Sequence, residues 1–174
     1  MDSFGREDMT RLIALAGLPG SGKSTIAREL ARRIGALWLR VDSMDQAIWA
    51  SGTAPKDLRD WTYRAAQAVA EDNLRLGLDV VGDCVNDWQA ARDGWGEAAA
   101  RAGARIVWVE IACADPVEHR RRIETRASEV TGLALPDWRA VMSRQYHPWT
   151  HGRLTIDTAA RSIGECVETI LAAL

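Results

Sequence analysis

The stretch Gly17-Leu18-Pro19-Gly20-Ser21-Gly22-Lys23-Ser24-Thr25 lies between a short apolar run, residues 12–16, and a helical pattern over residues 23–34 that stops at Gly35. The spacing G-x-x-x-x-G-K-S between a strand and a helix is the pattern of a phosphate-binding loop. Its glycines allow a tight turn in which successive backbone N–H groups point at one anion, and the positive end of the helix dipole adds to the attraction. The sequence therefore predicts a site for the phosphates of a nucleoside triphosphate.

Each position of this loop has an expected role. Lys23 would reach the β- and γ-phosphates, the Ser24 hydroxyl would bind Mg²⁺, and Thr25 would contact the α-phosphate. The loop residues that we predict to bind the cofactor are Gly17, Pro19, Gly20, Ser21, Gly22, Lys23, Ser24 and Thr25. ATP and Mg²⁺ are the expected cofactors. The loop alone does not separate ATP from GTP, or a kinase from a GTPase, a motor or a regulatory ATPase.

Short apolar runs alternate with helical patterns along the rest of the chain. Strands are predicted at residues 37–41, 79–83, 105–111 and 154–157, and helices at residues 57–76, at 88–102, after Asp115-Pro116 and after Ser162. Residues 42–56 are polar and rich in turn formers, and we interpret them as a connection. Strand followed by helix, five times over, predicts an α/β fold with right-handed crossovers and a parallel sheet covered by helices on both faces.

The predicted helix 57–76 carries apolar residues near one face, as in an amphipathic helix that packs against a core. These residues are Leu58, Trp61, Ala65, Ala68, Val69 and Leu76. Two of the eight tryptophans, Trp49 and Trp61, flank the expected acceptor side. We weigh stacking on a substrate against packing within the protein for these two rings, and favour packing.

Size and composition indicate one domain, because 174 residues bury one core and are short for two. We assign residues 10–174 to this domain and interpret residues 1–9 as a flexible N-terminus. The net charge of -2 supplies no basic field that would gather nucleic acid. Cys84, Cys113 and Cys166 form no C-x-x-C pair, and the polar start lacks the features of a signal peptide. We therefore expect reduced thiols, a cytoplasmic location and no membrane partner.

Two aspartates follow predicted strands. Asp42 follows the second strand, and ligands of an open parallel sheet lie outside the carboxyl ends of its strands. A carboxylate there can accept the proton of an acceptor hydroxyl as it attacks the γ-phosphate; alternatively, Asp42 caps the following turn. Asp83 ends the third strand, where it would orient Mg²⁺, contact the acceptor or act as the base itself.

The segment His119-Arg120-Arg121-Arg122-Ile123-Glu124-Thr125-Arg126 places Arg122 and Arg126 four residues apart, on one helix face. Arginines on a closing lid can neutralise the oxygens of a transferring phosphoryl group and exclude water. Nearby glutamates are expected to pair with some of the four arginines. We predict that Arg122 and Arg126 are catalytic and that residues 127–136 form the lid.

Together the phosphate loop, Asp42, Asp83, the arginine pair and the strand end Ile156-Asp157-Thr158 resemble a family of small P-loop kinases. It is the "predicted kinase" group of AAA-like ATPases, related to chloramphenicol phosphotransferase, gluconate kinase, adenylylsulfate kinase, zeta toxins and the polynucleotide 5'-hydroxyl kinase domain. The resemblance covers residues 10–174. It implies a three-layer P-loop NTPase fold with a five-stranded parallel sheet in the order 2-3-1-4-5.

The resemblance also implies site roles. Asp42 would be the general base, Arg122 and Arg126 would contact ATP phosphates, and the turn at Thr158 would lie near the adenine. Many relatives have an arginine that holds the acceptor where this chain reads Asp45-Gln46. We therefore expect a kinase for a hydroxyl of a metabolite, sugar or antibiotic. Two alternatives stay open: a kinase for a nucleotide, a polynucleotide 5' end or a nucleotide sugar, and a non-catalytic nucleotide switch.

Overall fold

The computed structural model describes residues 9–52 and 58–174, so most of the predicted flexible N-terminus lies outside the described residues. The strands are β1 (Arg11–Ala16), β2 (Leu37–Arg40), β3 (Val80–Asp83), β4 (Arg105–Ala112) and β5 (Leu154–Asp157). The helices are α1 (Lys23–Ile34), α2 (Val41–Ala50), α3 (Arg59–Arg75), α4 (Gln89–Ala102), α5 (Pro116–Thr125), α6 (Trp138–Met142) and α7 (Ile163–Leu171). Over these two ranges, no helix has both the length and the apolar character needed to cross a membrane.

The strands form one parallel sheet in the order β2-β3-β1-β4-β5, which confirms the predicted fold class. In the register of this sheet, Leu15 of β1 lies opposite Asp83 of β3 and Val109 of β4. Arg40, the last residue of β2, lies opposite Asp83 on its other side. The segments that follow β1, β2 and β3 therefore leave the sheet side by side at its carboxyl edge.

The central strand β1 is buried on both faces, which explains its uninterrupted apolar sequence. Ile13 and Leu15 pack in the core beneath α1 and α7, whereas Leu12 and Ala14 pack in the second core, beneath α3 and α4. All four side chains are fully buried. Each fully buried leucine or isoleucine contributes about 1.5–3 kcal/mol of hydrophobic stabilisation. The carboxyl end of β1, where the phosphate loop starts, is thus held rigidly in the middle of the molecule.

Several predicted helix boundaries are confirmed by their caps. Asp115 accepts hydrogen bonds from two backbone N–H groups at the start of α5, with Pro116 in the first turn. Ser162 and Glu165 form the predicted capping box of α7. Two helices were not predicted: α2 occupies part of the expected connection 42–56, and α6 is only one turn long. In α2 Val41 is buried and Met44 is partly buried against the core, and the turn-forming residues of the segment 42–56 led us to interpret it as a connection.

The apolar face predicted for α3 points mostly away from the core. Trp61 is 65% exposed and Leu76 is 78% exposed, whereas Tyr63, Ala66 and Ala70 are buried. The buried face of α3 mixes small and large residues and packs against α4. The predicted start of this helix, residue 57, lies outside the described residues.

Candidate active site

The loop between β1 and α1 requires glycine at its turning points. Gly17, Gly20 and Gly22 have φ angles of 144°, 83° and 94°. A Cβ atom on Gly17 would lie 2.2 Å from the backbone oxygen of Ile111, so no side chain fits there. No side chain caps the start of α1. The first N–H groups of that helix therefore remain available for an anion, as a phosphate site requires.

Three neighbouring elements hold this loop in shape. The Thr158 hydroxyl, at the end of β5, donates a hydrogen bond to the Ser21 carbonyl at 2.7 Å. On α5, His119 Nε2 lies 2.8 Å from the Pro19 carbonyl oxygen. The Gly17 N–H donates to the Val85 carbonyl at 3.1 Å, which links the loop to the exit of β3. The loop is thus pre-organised by long-range contacts that its own sequence does not reveal.

Lys23, Ser24 and Asp83 meet at the start of α1. Lys23 Nζ donates to Asp83 Oδ1 at 2.6 Å, and the Ser24 hydroxyl donates to the same oxygen at 3.2 Å. Trp38 Nε1 donates to the other carboxylate oxygen at 3.2 Å. Asp83 is 1% exposed, so this carboxylate has one fixed orientation. Hydroxyl and carboxylate oxygens at this spacing form a donor set suited to Mg²⁺, which prefers oxygen ligands.

The Lys23 ammonium is buried but remains charged. Burial lowers the pKa of Lys23, and the negative charges of Asp83 and Asp42 act in the opposite direction. The carboxylates prevail, so the pKa of Lys23 is raised above its usual value of 10.5. At neutral pH the loop therefore presents a cation to an incoming phosphate.

Asp42 lies in the first turn of α2 and lines the same cleft as the phosphate loop. Arg40 occupies the N-cap position of α2, and no side chain caps this helix, so the capping role that we weighed for Asp42 is not realised. The negative charge of Asp42 opposes the lowering of the pKa values of Lys23 and Arg126 by burial; the pKa of Arg126 is lowered nonetheless, whereas that of Lys23 is raised with the help of Asp83. The fold thus brings together three of the predicted catalytic residues, although they are separated widely in sequence.

The two predicted arginines are in different situations. Arg122 donates from Nη1 and Nη2 to the hydroxyl and carbonyl of Thr158, at 2.8 and 2.9 Å, and from Nε to Glu118 at 2.7 Å. Arg126 instead has two buried nitrogens, Nε and Nη2, without a hydrogen-bond partner among the described residues. Burial lowers the pKa of Arg126, and the Asp42 charge opposes this shift. Of these two arginines, Arg126 is thus the one that keeps buried donors without a partner among the described residues.

Thr158, which the resemblance places near the adenine, is buried and bonded to the phosphate loop and to Arg122. Its side chain links β5, α5 and the loop into one unit. A contact between the turn at Thr158 and an adenine stays a prediction.

A cleft of about 460 Å³ opens between the phosphate loop, α2, the exit of β3 and the segment 127–136. Its wall on the side of α2 and α3 contains Trp49, Tyr63 and Trp88, together with Arg144. Of these four residues, Trp49 was predicted from the sequence to flank the acceptor side. Trp61 does not line the cleft. Tyr63, Trp88 and Arg144 carry no motif, and only the packing of distant elements brings them to the site.

Residues of the predicted lid border the mouth of the cleft. Within this segment, the Glu129 carboxylate pairs with Arg28 at 3.3 Å and with Arg40 at 3.2 Å. These two ion pairs join residues 127–136 to α1 and to the end of β2. Movement of this segment as a lid stays a prediction.

The chain is similar in sequence and in fold to several known proteins. Residues 12–145 match the model of a family described as AAA domain. Shikimate kinases of Mycobacterium tuberculosis and Mycobacterium bovis are 30% identical over 165 residues, which covers 92% of this chain and 91% of theirs. The APS kinase CysC of Mycobacterium tuberculosis, solved with AMPPNP and APS, superposes with a TM-score of 0.70 at 21% identity, over 94% of this chain and 96% of that one. A gluconokinase from Sinorhizobium meliloti superposes with a TM-score of 0.62 at 20% identity, over 97% and 92% of the two chains.

Proposed function

Since the chain belongs to the AAA domain family and to the P-loop kinases that include shikimate kinase, we propose that it transfers the γ-phosphoryl group of ATP to a hydroxyl of a small-molecule acceptor, a metabolite, sugar or antibiotic. The observation that carries this proposal is the convergence, in one cleft, of a complete phosphate loop with Asp42 and with Arg126, two of whose nitrogens have no partner within residues 9–52 and 58–174. Positioning and charge neutralisation are the main requirements of phosphoryl transfer, and these residues supply both.

ATP binding rearranges the buried ion pair. The N–H groups of the loop receive the phosphates, and Lys23 turns from Asp83 toward the β- and γ-phosphate oxygens. This movement releases an oxygen of Asp83, which together with the Ser24 hydroxyl would hold Mg²⁺. The ion, when bound, neutralises charge on the β- and γ-phosphate oxygens.

Asp42 acts on the acceptor. Its carboxylate accepts the proton of the acceptor hydroxyl while that oxygen forms a bond to the γ-phosphorus and the bond from phosphorus to the bridging oxygen of ADP breaks. Arg126 neutralises the oxygens of the transferring group. Asp83 is less suited to be the base, because it is buried and its oxygens accept hydrogen bonds from Lys23, Ser24 and Trp38.

Transfer of label from γ-labelled ATP to a library of hydroxyl compounds tests the proposal. Asp42→Asn is expected to lower the rate of transfer by about 10²–10⁴-fold, as for loss of a general base, with nucleotide affinity retained. The matched control, Asp72→Asn, changes an exposed aspartate of α3 and leaves the rate unchanged.

Equal transfer by wild type and Asp42→Asn would remove Asp42 from the mechanism. Label on an oligonucleotide 5' end or a nucleotide sugar, and on no small acceptor, would favour the alternative kinase. Tight nucleotide binding without any transfer would favour the non-catalytic switch.

A further inference from the structure

His119 is a buried histidine at the phosphate loop that the proposed chemistry does not use. It lies on α5 and is 7% exposed, and Ile123, one turn further along the same helix face, is 6% exposed. A Cβ atom on Gly20 would lie 2.5 Å from Ile123 Cδ1 and 3.2 Å from His119 Cδ2. The tip of the phosphate loop therefore rests directly against these two side chains of α5.

The hydrogen bond between His119 and the loop has only one possible direction. His119 Nε2 lies 2.8 Å from the carbonyl oxygen of Pro19. A carbonyl oxygen can accept a hydrogen bond but cannot donate one, so Nε2 carries the proton in this contact. The imidazole is therefore a donor to the loop, a role that an apolar side chain of similar size could not fill.

This contact fixes a peptide group that also borders the cleft. The peptide bond between Pro19 and Gly20 is trans, so the Pro19 carbonyl and the Gly20 N–H point in opposite directions within one planar unit. The carbonyl is directed at α5, and the N–H is therefore directed away from α5, where Gly20 lines the cleft. No residue that the structure describes accepts a hydrogen bond from this N–H. Held in this way, it is a donor available to an anion.

The backbone of Pro19 leaves His119 one angle to control. The proline ring fixes φ, so the direction of the Pro19 carbonyl depends on ψ, and the contact with His119 selects its value. Two residues later the loop is held in a similar way, because the Thr158 hydroxyl donates to the Ser21 carbonyl at 2.7 Å. Two alternate carbonyls of the loop are thus drawn toward neighbouring elements, one by Thr158 and one by His119.

Trp138, the first residue of α6, packs against the imidazole. The two ring centroids are 5.3 Å apart and the ring planes are at 90°, an edge-to-face contact that favours one orientation of the His119 ring. The Asp137 side chain accepts a hydrogen bond from the Ala140 N–H at 2.7 Å and so fixes the start of α6. Residues 127–136 lie between α5 and α6, so the contact of His119 with Trp138 joins the two ends of this segment.

We propose that His119 is a positioning residue for the phosphate loop. By donating to the Pro19 carbonyl it fixes the peptide group in which the Gly20 N–H donates to a phosphate oxygen of the bound nucleotide, and Trp138 keeps the imidazole in the donating orientation. The proposal rests on the proposed function for its ligand, ATP, and adds a side chain from outside the loop to the phosphate site. A donor that is oriented in advance lowers the entropy cost of binding the anion.

Two variants separate the hydrogen bond from the bulk of the ring. His119→Gln keeps an N–H donor near the position of Nε2, whereas His119→Leu keeps bulk without a donor. In calorimetric titrations with ADP or AMPPNP and Mg²⁺, His119→Leu is expected to raise Kd by about 10-fold, as for a weakened hydrogen bond to a charged group. His119→Gln is expected to raise it by less than about 3-fold. The control, His147→Leu, changes an exposed histidine outside the cleft and should leave Kd unchanged.

A second measurement reads the Gly20 N–H directly. In ¹H–¹⁵N NMR spectra of the wild type, the Gly20 amide signal is expected to shift when ADP and Mg²⁺ bind, because its proton gains a phosphate acceptor. The shift should be smaller in His119→Leu and restored in His119→Gln. Trp138→Ala keeps the donor but frees the imidazole ring, so it should raise Kd for ADP by about 3-fold.

Thermal unfolding of the same variants without nucleotide provides the structural comparison. A merely structural role would lower the midpoint in both His119 variants and leave the nucleotide affinity of the folded protein unchanged. An unchanged Kd in His119→Leu, an equal loss of affinity in His119→Leu and His119→Gln, or a Gly20 amide that does not respond to nucleotide would overturn the proposal. These measurements use no acceptor, so the expected results without any phosphoryl transfer would support the proposal and count against the kinase function alone.

Discussion

Asp83→Asn is expected to lower stability strongly, because it keeps the shape of the side chain and removes one charge of a buried pair. The ammonium of Lys23 and the carboxylate of Asp83 are 2.6 Å apart, with 7% and 0% of their side chains exposed. Removing one partner of a buried pair leaves the other charge uncompensated, which typically costs about 3–5 kcal/mol. Against a total stability of roughly 5–15 kcal/mol for a domain, this loss is easily measured by urea unfolding at pH 7.

The pH dependence of that loss is a sharper criterion. In the wild type the pKa of Lys23 is raised above 10.5, so its contribution to stability is complete below that pH and declines as pH rises through the higher, folded-state pKa. In Asp83→Asn burial is opposed by Asp42 and, more weakly, by Cys84, and we expect the pKa of Lys23 to fall below 10.5. The unfolded state then binds more protons than the folded state, so the variant gains stability as pH rises toward 10.5.

The measurement is the difference in free energy of unfolding between wild type and variant at several pH values from 7 to 10. The contributions of the other titrating groups largely cancel in this difference, because both proteins share them. We expect this difference to shrink as pH rises. Asp60→Asn, which breaks an exposed pair with Arg64, serves as the control and should show a small, pH-independent effect. A loss below about 1 kcal/mol at pH 7, or a difference that does not vary with pH, would refute the reasoning.

Three further outcomes follow from the structure. Trp95→Ala removes a fully buried ring and should lower the free energy of unfolding by about 3–5 kcal/mol in thermal or urea unfolding. Trp61→Ala, at a site of α3 that is 65% exposed, should lower it by less than about 1 kcal/mol. A similar loss in both variants would mean that Trp61 is buried, and would contradict the orientation of α3. Gly17→Ala brings a Cβ atom against a backbone oxygen and should abolish binding of a fluorescent ATP analogue, whereas Gly35→Ala, with open space around its Cβ, should keep that binding at a modest cost in stability. Arg126→Gln should lower kcat by about 10²-fold with little change in nucleotide affinity, as for loss of a charge that acts on the transferring group; a rise in KM for ATP alone would assign Arg126 to ground-state binding.

Local patterns were enough to predict the core of the fold. The phosphate loop, the five strands and the caps at Asp115 and Ser162 depend on residues close together in sequence, so spacing and residue type reveal them. Helix α2 was missed because the turn formers of residues 42–56 outweighed the short apolar spacing of Val41, Met44 and Ile48. The exposed face of α3 was misassigned because its buried side includes polar residues, Thr62 and Gln67, which a search for apolar periodicity overlooks.

The sequence by itself determined the phosphate loop, the parallel α/β architecture and the carboxyl ends at which Asp42 and Asp83 lie, because each follows from local spacing or from the handedness of strand-helix-strand units. Tertiary structure alone decided which charges meet. Lys23 pairs with Asp83, sixty positions away. Arg122 donates hydrogen bonds to Thr158, whereas two nitrogens of Arg126 have no partner among the described residues. Arg144, which lines the cleft, donates to Asp87. Such pairings depend on burial and on distances between separate elements, and no local pattern encodes either.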